Sequence, residues 1–169
     1  GLTGNFWYME KKKRDIKIDD IIIFQGSSWF MHKDHFFIID CMDAKNYNFQ
    51  QEATELSFKT WLKEGRIIRN KNTWYAHLHK GKKHGRGFYL SKRQMMQSEI
   101  FSAHLWMTDS WPKQTKKLAW LIDKFGPLEG WPQDWQDPKY RETYKHPGLK
   151  KYPQLEKFII HKINGEKSK

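Results

Sequence analysis

The run Glu52-Ala53-Thr54-Glu55-Leu56-Ser57-Phe58-Lys59-Thr60-Trp61-Leu62, continuing to Glu64 and halted by Gly65, constrains this chain more than any other stretch. Leu56, Trp61 and Leu62, flanked by Phe58, fall on one stripe at helical spacing, and Gly65 stands where a C-cap glycine would. Glu52 and Glu55 are one turn apart, so a helix carries both carboxylates on one face. Short strands are expected next over residues 66–70 and 72–79. In the second, Trp74 and Ala76 point one way, Tyr75 and His77 the other. A helix followed by such strands can gather carboxylates and an imidazole at one place.

Upstream, Ile16, Ile18 and Ile21-Ile22-Ile23-Phe24 form a short apolar run that predicts a strand, broken by Gly26-Ser27-Ser28. Trp29-Phe30-Met31 predicts a second extended segment, and residues 33–39 a short helix with Asp34 in its first turn. Downstream, Gly81-Lys82-Lys83-His84-Gly85-Arg86-Gly87 is a basic loop without periodicity. Helices are expected over residues 91–106, with Met95, Ile100, Phe101, Ala103 and Leu105 buried, and over 117–125, stopped by Gly126-Pro127. Residues 155–163 suit a last helix or strand. The five tryptophans Trp106, Trp111, Trp120, Trp131 and Trp135 suit a core better than a binding face.

Composition narrows the class. Of 169 residues, 16% are aromatic and nine are Trp, which excludes a disordered chain despite a mean hydropathy of −0.91. Cys41 is the one cysteine, so no internal disulfide framework forms, and a cytoplasmic setting is expected. No apolar run reaches the roughly 20 residues of a spanning helix. A net charge of +12 implies an acidic partner, whether a nucleotide-sugar, a nucleic acid or an anionic surface. The chain opens at Gly1 in mid-pattern, as a fragment would.

Each candidate group has a plain reading. Glu52 and Glu55 suit a helix's first turn simply by the macrodipole, and a lone strand histidine such as His77 is more often structural than a ligand. Glycines beside cations, as in the loop bearing Lys80, His84 and Arg86, let backbone and side chains close on phosphates. The order of these parts along the chain says more than any one of them.

That order resembles the C-terminal half of a family 2 type glycosyltransferase of GT-A fold, near the polypeptide N-acetylgalactosaminyltransferases. The resemblance rests on Gln25-Gly26-Ser27-Ser28-Trp29-Phe30, on Cys41-Met42-Asp43, and on Gln50-Gln51-Glu52-Ala53-Thr54-Glu55-Leu56. It continues through Lys63-Glu64-Gly65, His77-Leu78-His79-Lys80 and Leu105-Trp106-Met107-Thr108-Asp109. It implies an α/β fold, with residues 1–110 as the acceptor-side half of a GT-A domain and 111–169 as a Trp-rich basic extension. It implies transfer of a hexosyl or N-acetylhexosaminyl group from a nucleotide-diphospho-sugar to a glycan, protein or modified nucleic-acid acceptor. His77 would ligate Mn2+ or Mg2+. Lys80, His84 and Arg86 would contact the donor diphosphate, Gly26 and Ser27 the transferred sugar, and Glu52 and Glu55 the sugar or acceptor.

Three departures stand out. The Asp-x-Asp motif of the nucleotide-binding half is absent, and Asp19-Asp20 precedes the position where it would fall. Ala53 replaces a catalytic Asp common in inverting relatives, and Gln50-Gln51 replaces Gly-Gly. The expected activity is therefore incomplete in these residues alone. A basic nucleic-acid-binding module is the competing expectation, since cations interleaved with aromatics suit phosphates and stacked bases.

Overall fold

The computed structural model of the protein describes residues 15–43, 51–77, 90–126, 134–135, 137–157 and 159–160. Along them run β1 (Ile18–Asp20), α1 (Lys33–Ile38), α2 (Glu52–Leu62), β2 (Ile68–Asn70), α3 (Lys92–Met107), α4 (Leu118–Phe125) and α5 (Pro138–Glu142), then a 3-10 turn at Pro147–Lys150. The class is mixed α and β. Helices gather around α2, and β1 pairs with β2 antiparallel, with Asp19 opposite Arg69. None of the described helices is long and apolar enough to cross a membrane.

The α2 helix differs from the expected amphipathic stripe. Every residue from Thr54 to Leu62 is buried, polar ones included. Burial of polar groups is costly without partners, and neighbouring segments supply most of them. Ser57 Oγ accepts the Phe24 N–H at 3.2 Å, and Trp61 Nε1 donates to the Ile21 carbonyl at 3.0 Å. The hydroxyl of Thr60 lies 3.4 Å from His35 Nε2. Ile21 still donates its N–H to the Ile67 carbonyl at 3.1 Å, and beyond it the apolar run leaves the sheet, with the Ile21 carbonyl and the Phe24 N–H taken by α2 side chains. Residues 29–31 and 72–77, expected as strands, likewise form none among the described residues, since a strand needs a second backbone to pair with.

One core joins the chain from Phe24 to Ile159. Leu56, Phe58 and Leu62 of α2 meet Ile100, Phe101 and Trp106 of α3, and the Phe58 and Trp106 rings stand edge-on at 5.5 Å. Trp111, Leu118, Leu121, Trp135, Leu149 and Leu155 belong to the same core, so residues after 110 pack together with those before it. Four of the five expected positions on α3 are buried, and Met95 is half-buried. Trp106, Trp111 and Trp135 are buried, Trp120 packs partly against the core, and Trp131 lies outside the described residues. Ser91 caps α3 through a reciprocal box with Gln94.

Three helices end alike. After α1, α2 and α3 the chain turns through Asp40, Glu64 and Asp109, with φ of 70, 65 and 49°. Each end carries the paired bonds of a Schellman motif, as in Gly65 N–H to Thr60 O at 2.7 Å and Glu64 N–H to Trp61 O at 3.2 Å. Gly65 is therefore not the left-handed residue that the sequence led us to expect. It follows Glu64 because a Cβ there would stand 2.7 Å from Thr60 Cγ2 and 2.8 Å from His35 Cε1. Glu64 bears the backbone strain instead, with its carboxylate at the negative end of α2. Glu64→Gly is accordingly expected to raise stability by roughly 0.5–1 kcal/mol. A lower urea midpoint for that variant would sink this account of the helix end.

Candidate functional site

Gly26 and Ser27 form the centre of an exposed turn that Ser28 N–H closes onto the Gln25 carbonyl at 3.4 Å. The Phe24 bond to Ser57 hangs this turn from α2. The half-buried first residue of α2, Glu52, sits against it: a Cβ at Gly26 would lie 3.2 Å from Glu52 Oε1. Glycine thus admits the carboxylate beside the backbone. From the other side, the Tyr75 hydroxyl lies 2.9 Å from Ser27 Oγ and donates to Gln25 Oε1. A phenol has one proton to give, so the Ser27 hydroxyl donates to Tyr75. The chain Ser27–Tyr75–Gln25 therefore ties the segment that leads to His77 onto the turn at Glu52.

The structure brings together Gly26, Ser27 and Glu52. Glu55 goes elsewhere, although it is only one turn from Glu52. Its carboxylate is fully buried, 2.6 Å from Lys59 Nζ, and accepts the Asp43 N–H at 2.7 Å. Lys59 in turn donates to the Cys41 carbonyl at 3.0 Å. Burial pushes the Glu55 carboxyl above its usual value, and Lys59 and the Asp43 amide pull part of the way back. Glu55 Oε2 is buried with no hydrogen-bond partner among the described residues. These contacts fasten the 40–43 segment to α2, an anchoring arrangement.

His77 is exposed, two residues beyond Tyr75. Lys80, His84 and Arg86 lie outside the described residues. Asp19 and Asp20 are engaged in ion pairs: Asp19 with Arg69 and Lys71, Asp20 with Arg66 and Lys124. A hydrogen bond from Arg69 holds the Asp19 carboxyl below its usual range despite partial burial. Among the described residues no group of three or more His, Cys, Asp or Glu side chains could hold a metal ion. His77 accordingly belongs to no such group among the described residues.

Sequence reasoning passed over Gln25 as a site group and gave Tyr75 no role. The signal for Tyr75 was present, since strand-like alternation puts it on the His77 side. Compared with family models, curated proteins and solved structures, the chain matches none.

Proposed function

We propose that this chain forms the acceptor-facing side of a metal-dependent glycosyltransferase of GT-A type. The observation that carries the reading is the approach of the Glu52 carboxylate to the Gly26 backbone, joined by the Ser27–Tyr75–Gln25 chain that leads to His77. Three separated segments with the expected chemistry converge on one exposed turn. Glu52 is the carboxylate in position to accept the proton of an attacking acceptor hydroxyl. Glu55 acts through packing, by holding the 40–43 segment. Ala53, half-buried against the core, has no proton-accepting group. A divalent ion, when bound, would neutralise charge growing on the leaving diphosphate, and His77 would be one of its ligands. An Asp-x-Asp pair would have to come from another segment or chain.

The test is binding of Mn2+ and uridine diphosphate to the chain, followed by the electron paramagnetic resonance signal of free Mn2+. The diphosphate is expected to draw Mn2+ onto the protein, and His77→Ala to weaken that by tenfold or more, about 1.4 kcal/mol. Mn2+ uptake indifferent to the diphosphate, or unchanged in His77→Ala, would overturn the reading. Tight binding of a single-stranded oligonucleotide that weakens steeply with salt would instead favour the nucleic-acid module, which the net charge of +12 suits.

A further inference from the structure

A second cluster of titratable groups lies between α3 and the 3-10 turn at Pro147–Lys150, in residues other than those of the proposed site. His146, the buried residue that opens the turn, donates its backbone N–H to His104 Nε2 of α3 at 3.3 Å. Its own ring caps the turn, with Nδ1 accepting the Gly148 N–H at 3.0 Å. Gly148 sits close on α3, where a Cβ would stand 2.5 Å from Met96 Sδ. His146 Nε2 lies 3.6 Å from Glu99 Oε1, also on α3. These contacts fix both tautomers. The neutral His104 ring carries its proton on Nδ1, and the neutral His146 ring carries its own on Nε2, facing Glu99. We propose that His104 is an acid-labile latch: its unprotonated Nε2 holds residues 144–150 on α3, and a proton on that nitrogen releases them.

A protonated imidazole has no lone pair left to accept with. A second proton on His104 therefore sets an N–H against the His146 N–H, and that amide loses its acceptor. The groups around the ring work in the same sense. Tyr144 packs its ring 5.2 Å from that of His104. Burial first, then His146 and Lys145, hold the His104 imidazole below its ordinary 6.5, against the opposing pull of Glu156. Lys145 pairs with Glu156 at 2.7 Å, and Glu99 faces His146. The released segment leaves His104 freer to take a proton than the docked one does. Docking is therefore fully favoured above 6.5 and weakens as pH falls through the folded value. Release uncovers Leu149, which the turn buries in the core, so the acid form presents new apolar surface.

The experiment follows amide hydrogen exchange of the whole chain by NMR at about pH 7.5 and about pH 5, each rate being corrected for its intrinsic pH dependence. Protection of the His146, Gly148 and Leu149 amides is expected to fall roughly fivefold or more on acidification, while the amides of α2 keep theirs. His104→Gln puts an oxygen that does not titrate in place of Nε2, so its protection should be the same at both pH values. His104→Leu, with no acceptor, should show the low protection at both. His146→Asn keeps the backbone donor and a capping side chain without the imidazole, and should retain the pH dependence. Equal protection of the wild type at the two pH values would overturn the latch. So would an undiminished acid response in His104→Gln, its disappearance in His146→Asn, or a parallel loss throughout α2, which marks global unfolding. If His104→Leu does not fold, the wild type and His104→Gln decide by themselves.

Discussion

Replacing Lys59 with methionine will destabilise the fold by about 3–5 kcal/mol, because it leaves a buried carboxylate without its counter-charge. The Glu55 and Lys59 side chains are 0% and 5% exposed, at a separation of 2.6 Å. Methionine keeps the aliphatic stem beside Trp111, so packing changes little and the loss reports the charge. Once Lys59 is gone, Glu55 retains only the Asp43 amide, which cannot offset the desolvation of a carboxylate. Adding Glu55→Gln to Lys59→Met should recover much of the loss. If the double variant is as unstable as Lys59→Met alone, the pair is not the source of the effect. Urea unfolding of the single and double variants measures this coupling.

The same pair sets a pH dependence whose sign can be worked out. The folded-state pKa of Glu55 lies above the ordinary 4.5, so the unfolded chain releases this proton first as pH rises. The group's contribution is fully present below 4.5 and is lost as pH rises through the folded value. The stability difference between wild type and Glu55→Gln should therefore shift against the wild type as pH rises above 4.5 through the folded value. Comparing the two proteins removes the opposite trend of carboxyls held low by partners, such as Asp19.

Asp109→Ala is expected to cost about 2–4 kcal/mol. Asp109 ends α3 in the left-handed region, where alanine is strained. Its Oδ1 accepts the Leu118 N–H at 2.8 Å at the start of α4, and its Oδ2 pairs with Arg141 of α5. Arg141 also donates to the Met107 carbonyl at 3.0 Å, so one carboxylate joins the ends of three helices. Asp109→Asn keeps an acceptor oxygen and tolerates the backbone conformation, so it should lose about half as much. Equal losses for the two variants, or an alanine cost under about 1 kcal/mol, would contradict the assigned role.

Helices α1 to α4 were legible because their signals are local, whereas α5 over Pro138–Glu142 was not expected. Ser91 with Gln94 marks a helix start, and the apolar spacing from Ile100 to Leu105 marks a buried face. What escaped was set by partners distant in sequence. Ser57, Lys59 and Thr60 look like a solvated face until Phe24, Glu55 with Cys41, and His35 are seen to take up their polar atoms. The apolar stretch 21–24 looks like a strand, yet after the Ile21 N–H pairs with Ile67 its Ile21 carbonyl and Phe24 N–H go to Trp61 and Ser57. At the candidate site, only the resemblance grouped Gly26, Ser27 and Glu52, and the closeness of Gly26 to Glu52 depends on the turn that Phe24 hangs from Ser57. The divergence of Glu55 was not readable, because helical spacing gives the shared face of two residues and not the depth of each. Glu64 and Asp109 were missed as helix-ending residues because glycine is the commoner signal for that conformation.

The enclosure of α2 divides the turn region into parts of unequal freedom to vary. Glu52 begins a helix whose following turns are walled in by the core, so changes along α2 carry a packing penalty. Gln25 and Ser27 stand on a turn with an open side. A lineage adapting this surface to a new ligand would find its tolerated changes on that turn, while the carboxylate stayed where it is. Chemistry and selectivity would then diverge at different rates within one small patch.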